Sequence, residues 1–326
     1  MKKIYFYSLI FCVFAIAAKP FDQFPQATIT NGLIQARIYL PDVNNGYYRA
    51  SRFDWSAVMP ELTYKGHSYF GQWYDKYSPT HHDAIMGPVE DFFPVGYDEA
   101  KVGESFLKIG IGIVTKPEEQ KYSIVTPYKI INLGTWKVKK KPGEIEFIHK
   151  LDDQQFSYDY KKTVQLLKGK PEMVLSHELK NTGQKDIITN VYNHNFFVID
   201  KQSTGKDFVI TFPFNLSGEP RQKNELGKIE ANKIIFLKEL SNTENLHYPS
   251  LEGFGTSVKD YDIKVENHKT GAAVRITSDQ PISKLVFWSA AKTLCPEPYI
   301  NIKIKPGETF KWKIFYQFYI CDINKN

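Results

Sequence analysis

Cysteine is nearly absent from this chain of 326 residues, which has only Cys12, Cys295 and Cys321. No Cys/His spacing among them suggests a structural zinc site. Long apolar runs are equally scarce. The one that stands out, from Ile4 to Ile16, follows Lys2 and Lys3 and is closed by Ala15-Ile16-Ala17. It is shorter than the roughly 20 residues a membrane-spanning helix needs. A short positive start, an apolar stretch and small closing residues are the layout of a secretory signal peptide, with cleavage expected near Ala17 or Ala18. Phe11 stands before Cys12 where a lipid-modified cysteine wants a small residue, so a lipid anchor is not expected. The expected mature protein is residues 19–326, secreted or periplasmic and with no membrane attachment after cleavage.

Beyond that segment no stretch shows a sustained 3.6-residue apolar period, so helices should be few and short. There is no linker, low-complexity stretch or short internal repeat, and a single domain is expected. Charge of either sign is also not in large excess. Without Lys2 and Lys3, 40 Lys and Arg stand against 36 Asp and Glu, a side-chain charge of +4. The excess is spread thinly, which argues against nucleic acid or an acidic membrane as partner. The densest cluster, Lys137, Lys139, Lys140 and Lys141, leads into Pro142-Gly143 and reads as a solvated hairpin end. Only Cys295 and Cys321 remain in the mature chain, and an oxidising compartment would permit a disulfide between them.

What the chain does have is strand pattern from end to end. Alternating or β-branched runs occur at 27–30, 33–40, 106–114, 122–125, 144–148, 163–167, 173–179 and 186–192. They continue at 233–237, 273–276, 284–288 and 310–318, broken throughout by Gly, Pro, Asn and Asp. This regularity predicts a large, largely antiparallel all-β sandwich or barrel. Lys141-Pro142-Gly143-Glu144, Asn181-Thr182-Gly183-Gln184 and Lys305-Pro306-Gly307-Glu308 are expected hairpin turns. In the strand at 173–179, alternation puts Leu175, His177 and Leu179 on one face, so His177 should be a core histidine. Residues 41–97 are crowded with aromatics, among them Tyr47, Tyr48, Trp55, Trp73 and Tyr74. Long aromatic loops suit sugar C–H faces, and an aromatic core is the equal alternative.

Three segments, in order, resemble the aldose-1-epimerase (galactose mutarotase-like) superfamily. Asn193-His194-Asn195-Phe196-Phe197, at a strand end, is similar to that family's Asn-His-x-Tyr-Phe motif. Cys295-Pro296-Glu297-Pro298, after the strand at 285–288, resembles its Cys-x-Glu element. Pro306-Gly307-Glu308 resembles the turn before its closing strand. The likeness covers mainly residues 173–318. It implies a β-supersandwich with the site in a concave face, and a catalytic base at Glu297 with an acid at His194. Opening a pyranose requires a proton removed from the anomeric hydroxyl and another delivered to the ring oxygen. A carboxylate and an imidazolium are a natural pair for that near neutral pH. A negative Glu297 would favour the charged imidazole. The reaction needs no metal, nucleotide or other cofactor, and its partner would be a small-molecule sugar or the end of a glycan.

Further contacts follow from position. Asn193 precedes the histidine, and Trp288 could stack on a sugar ring. Glu90 lies where relatives carry substrate loops, Lys108 near where sugar-phosphate epimerases place an arginine, and Arg52 sits polar amid aromatics. His81, His82 and Asp83 are expected in an exposed loop rather than at a metal. The sequence departs from the family in lacking its Gly-Arg-x-x-Asn-Arg stretch and its His-Gly-Gly loop, and in having Phe196 where the motif has Tyr. The sugar-holding set is therefore not carried over, and a non-catalytic carbohydrate-binding protein on the same scaffold is the alternative expectation.

Overall fold

The computed structural model describes residues 23–118, 121–222 and 225–323; the expected signal segment lies outside them. Among the described residues the only helices are 3-10 turns such as Ile199–Lys201 and Val258–Asp260. The rest of the regular structure is strand, and the chain is all-β as its alternation predicts.

Two sheets face one another. The larger has ten strands: β9 (Thr135–Lys141), β10 (Glu144–Leu151), β11 (Tyr158–Leu166), β12 (Glu172–Asn181), β14 (Phe208–Thr211), β15 (Gly227–Glu230), β16 (Lys233–Phe236), β18 (Asp262–Asn267), β19 (Ala272–Ser278) and β22 (Thr309–Ile320). Their spatial order is β15-β16-β14-β18-β19-β22-β12-β11-β10-β9. The smaller consists of β17 (Asn245–Leu251), β20 (Lys284–Ala290), β21 (Thr293–Ile304), β13 (Ile187–Phe196) and β5 (Gly87–Phe92), in that spatial order. A four-stranded sheet, β1 (Gln26–Thr30) to β4 (His67–Ser68), and a three-stranded sheet, β6 (Ser105–Lys108), β7 (Gly112–Thr115) and β8 (Ile130–Asn132), complete the fold. The ladders are antiparallel, for example Tyr192↔Tyr299 between β13 and β21.

Alternation decides which side chains fill the space between sheets. On β22, Trp312, Ile314, Tyr316 and Phe318 are buried while Lys311, Lys313 and Gln317 face water. On β12, Met173, Leu175, His177 and Leu179 face the same core, as expected for His177. Burying each such apolar side chain contributes about 1.5–3 kcal/mol. β13 departs from alternation and is buried on both faces from Val191 to Phe196. One face meets the larger sheet and the other forms the floor of a cleft, and this double burial concentrates polar chemistry on one strand.

Several local expectations change. Lys141↔Glu144 closes the β9–β10 hairpin as predicted. The turns after Asn181 and Ile304 are not hairpins, because β12 and β22 belong to the larger sheet and β13 and β21 to the smaller. The two sheet-switching turns hold each other: the Gly307 amide donates to the Asn181 carbonyl at 2.9 Å and the Asn181 side chain donates to the Ile304 carbonyl at 3.0 Å. The run at 106–114 is two strands, bent at Gly110, whose φ of +78° suits glycine. A Cβ there would meet the Asp54 carboxylate at 2.7 Å. The run at 122–125 is loop rather than strand. The aromatics of 41–97 are mostly core, with Tyr47, Tyr48, Trp55, Tyr64, Tyr69 and Phe70 all buried. Cys295 and Cys321 are both free thiols, so the permitted disulfide is not formed.

Candidate active site

The outer face of the five-stranded sheet is the floor of an open cleft of about 540 Å³. β13 contributes Tyr192, His194 and Phe196, β21 contributes Glu297 and Tyr299, and β20 contributes Lys284, Val286 and Trp288. Two further hollows on the surface contain no histidine. In the cleft His194 Nε2 lies 3.3 Å from Glu297 Oε1. The two segments singled out in the sequence, more than a hundred residues apart, therefore meet on one floor.

The strands explain how. Prolines 296 and 298 flank Glu297 and lack the amide hydrogens a ladder needs. The β13–β21 ladder accordingly ends at Tyr192↔Tyr299, just before Pro298. Asn195 takes over: its side-chain amide donates to the Pro296 carbonyl at 2.9 Å, and its own oxygen accepts from the Tyr316 hydroxyl at 2.7 Å. The third residue of the Asn-His-Asn motif is thus a clamp between the two strands. The imidazole is held by rings: it stacks on Phe196 at 3.8 Å and meets the edges of Phe53 and Trp288 at 5.6 and 5.9 Å. Its Nδ1 has no hydrogen-bond partner among the described residues.

Burial sets the protonation of this pair. It pushes the Glu297 carboxyl up to about 8, against the opposing pull of Arg52. It also pushes His194 well below the usual imidazole range, with Arg52 acting in the same direction. Near neutral pH the pair therefore rests as a carboxylic acid beside a neutral imidazole, not as the expected carboxylate and imidazolium. The total is one proton in either form.

Arg52 lines the cleft and is held on three sides. It pairs with Asp83, and donates to Asp91 Oδ2 at 3.2 Å and to the Tyr192 hydroxyl at 3.1 Å. Tyr192 in turn donates to Asp91 Oδ2 at 3.0 Å. Burial would raise Asp83, but His82 and Arg52 outweigh it and hold the carboxyl at about 2. Asp83 therefore lines the cleft rather than sitting in a free loop. Among the described residues no three His, Cys, Asp or Glu side chains gather as metal ligands. Trp288 is at the expected place and packs edge-on to Trp73 at 5.5 Å.

Three expected sugar contacts lie elsewhere. Asn193 is one residue from His194 and so points to the opposite face, where its amide donates to Glu90 Oε1 at 2.9 Å. Glu90, on β5, is fully buried between the sheets, pairs with Lys162 on β11 and accepts from His177 Nε2 at 2.8 Å. Lys108 is fully buried and donates to Asp91 Oδ1 at 2.8 Å, supporting the cleft from behind. The cleft residues not foreseen include Asp91, Tyr192, Tyr299, Arg221 and His247. For Asp91 and Tyr192 the signal was present: Tyr192 lies two residues from His194 on β13, and Asp91 is its ladder partner on β5.

No protein-family model and no curated protein matches the sequence. Solved structures do match the fold. An aldose epimerase homologue from C. elegans superposes with a TM-score of 0.56 at 14% identity, over 91% of this chain and 99% of that one. A galactose mutarotase related enzyme from Lactobacillus acidophilus gives 0.53 at 14% identity, over 92% and 100%. The chain has the galactose mutarotase-like fold. A galactose mutarotase-like protein from Clostridium acetobutylicum agrees, at 0.55 and 14% identity over 90% and 94%. The likeness therefore extends through the N-terminal half, where the sequence offered pattern without motif.

Proposed function

We propose that this chain is a divergent aldose 1-epimerase-like enzyme that interconverts sugar anomers by acid–base opening and closing of the ring. The observation that carries the reading is the 3.3 Å contact of His194 with Glu297 on the floor of the cleft. A pair that shares one proton is an acid and a base at once. Neutral His194 accepts the proton of the anomeric hydroxyl while the Glu297 carboxyl delivers its own to the ring oxygen, breaking the bond from that oxygen to the anomeric carbon. Rotation about the bond from the new carbonyl carbon to its neighbour presents the other face, and the reverse transfers close the ring. The resemblance implies the opposite starting form, with Glu297 as base; both forms carry the same proton count and both need the two groups side by side, because the two oxygens share one carbon. Trp288, Trp73 and Tyr299 line the cleft, where aromatic rings suit a sugar's C–H surface.

The test is anomer exchange measured by NMR over a panel of neutral and acidic aldoses. At least one sugar should exchange faster than in buffer. His194→Ala and Glu297→Gln should each lower that acceleration by about 10²–10⁴-fold, the range for a general acid or base. Buffer rates for every sugar, with binding retained, would point instead to a carbohydrate-binding protein. Full activity in both variants would reject the pair.

A further inference from the structure

The cleft is lined by positive charge that forms no ion pair with a described carboxylate. Arg221, His247 and Lys284 line it, together with Glu297 and Tyr299. The carboxylates of the cleft are engaged elsewhere: Asp83 with Arg52 and His82, Asp91 with Arg52 and Lys108, Glu297 with His194. Arg221 and Lys284 are exposed, and neither is paired with a described carboxylate. Arg221 and His247 adjoin at the Trp288 end of β20, and Lys284 stands four residues along that strand. The Arg221 backbone amide donates to the His247 carbonyl at 2.7 Å, and His247 stands opposite Trp288 in the β17–β20 ladder. Lys284 stands opposite Tyr299, with its Nζ 5.0 Å from the centre of that ring. After burial, the charges of Arg221 and Lys284 are what hold the His247 imidazole below its ordinary value, as groups facing the same space do.

Position relative to the proton-transfer pair completes the argument. Val286 is the ladder partner of Glu297, and Lys284 lies two residues further along the same face, about 7 Å at the rise of a β-strand. The exocyclic carbon of a pyranose is attached to the ring carbon that bears the ring oxygen. A group on that carbon therefore projects only a few bonds from the atom Glu297 serves. Guanidinium and ammonium donors without protein counter-ions are the recognition chemistry of carboxylate, sulfate and phosphate. We infer that Arg221, His247 and Lys284 form an anion subsite, and that the substrate class is acidic: a pyranose whose exocyclic carbon is, or carries, an anionic group. This rests on His194 and Glu297 marking the anomeric end.

Glucuronate, glucose 6-sulfate and glucose 6-phosphate, compared with glucose, and their galacto counterparts compared with galactose, test it in two ways. The first is kcat/KM for anomer exchange by the wild type and by the double variant Arg221→Ala, Lys284→Ala. The second is equilibrium binding of the same sugars by the wild type, the double variant and His194→Ala. The wild type should favour at least one acidic sugar over its neutral counterpart by about tenfold or more at low ionic strength, from two charge-assisted contacts. That ratio should fall towards one in the double variant, while His194→Ala keeps the binding preference. Equal handling of acidic and neutral sugars, an unchanged ratio in the double variant, or no binding of any acidic probe would overturn the inference. Preferential binding of acidic sugars without exchange of any sugar would leave the subsite standing and remove the proton-transfer reading. Exchange of neutral sugars without acidic preference would do the reverse. The ranking of the three anions identifies which group the subsite fits.

Discussion

A histidine–glutamate pair lies against each face of the five-stranded sheet, the inner one completed by His177 of the larger sheet, and the two pairs behave as opposites. On the inner face His177 Nε2 lies 2.8 Å from Glu90 Oε1, with both side chains sealed from solvent and Lys162 on the other carboxylate oxygen. Burial alone would raise Glu90, but Lys162 and His177 hold it down at about 2. On the outer face His194 and Glu297 are nearly as deeply buried, but among the described residues no Lys or Arg pairs with Glu297, and Arg52 and Lys284 act on it only from a distance. Burial then wins, and the Glu297 carboxyl rises to about 8. The same two residue types give a locked ion cluster in one place and a transferable proton in the other. The difference is one cation in direct contact with the carboxylate, and not the pair itself.

The largest expected effect comes from removing that cation. Lys162→Met leaves Glu90 charged in the core and should destabilise the fold by about 3–5 kcal/mol, read from chemical denaturation. Glu90→Gln in the same background should recover much of the loss. A Lys162→Met protein as stable as the wild type would mean that the inner pair is not held by charge.

Glu297→Gln should act on stability with the opposite sign and with a pH dependence. The folded-state pKa of Glu297 lies above its unfolded value of about 4.5, so the unfolded chain releases the proton first. Wild-type stability is therefore lost progressively as pH rises from about 4.5 to about 8, at up to about 1.4 kcal/mol per unit from this group. The glutamine variant should escape that loss. It should match the wild type in acid and exceed it at pH 7, in parallel unfolding curves. Parallel stability of the two proteins across this range would contradict a buried, uncompensated carboxyl.

A smaller effect is expected at the hinge between the two faces. Asn195→Ala frees the Pro296 carbonyl and the Tyr316 hydroxyl, both buried, and should cost about 1–3 kcal/mol of stability. Because the clamp also sets the height of Glu297, anomer exchange should fall more than the stability loss alone explains. Loss of stability with full exchange would limit Asn195 to a structural role.

Much of this was legible in the sequence, and the failures have specific causes. Alternation fixed the all-β class and placed His177 inside. The Asn-His and Cys-x-Glu segments located both members of the cleft pair. Face assignment is where sequence and structure part: Asn193 beside His194 and Glu90 beside Asp91 stand on strands, where neighbours point to opposite sides. Asp91 beside Glu90 and Tyr192 beside Asn193 are the residues that reach the cleft. Sheet membership was not readable from turn chemistry. Asn181-Thr182-Gly183-Gln184 and Lys305-Pro306-Gly307-Glu308 specify a reversal of direction, and only long-range packing decides that each leads into a different sheet. The Arg221–His247–Lys284 set was invisible because its members come from separate segments with no shared motif.

The contrast between the two faces is tested most directly by the titration of Glu297 itself. In protein labelled with ¹³C at glutamate carboxyl carbons, the resonance assigned by its loss in Glu297→Gln should titrate with a midpoint near 8, while that of Glu90 stays ionised down to about 2. A Glu297 midpoint in the ordinary carboxylate range, about 4–5, would contradict the account, because the carboxyl could then not hold the shared proton at neutral pH.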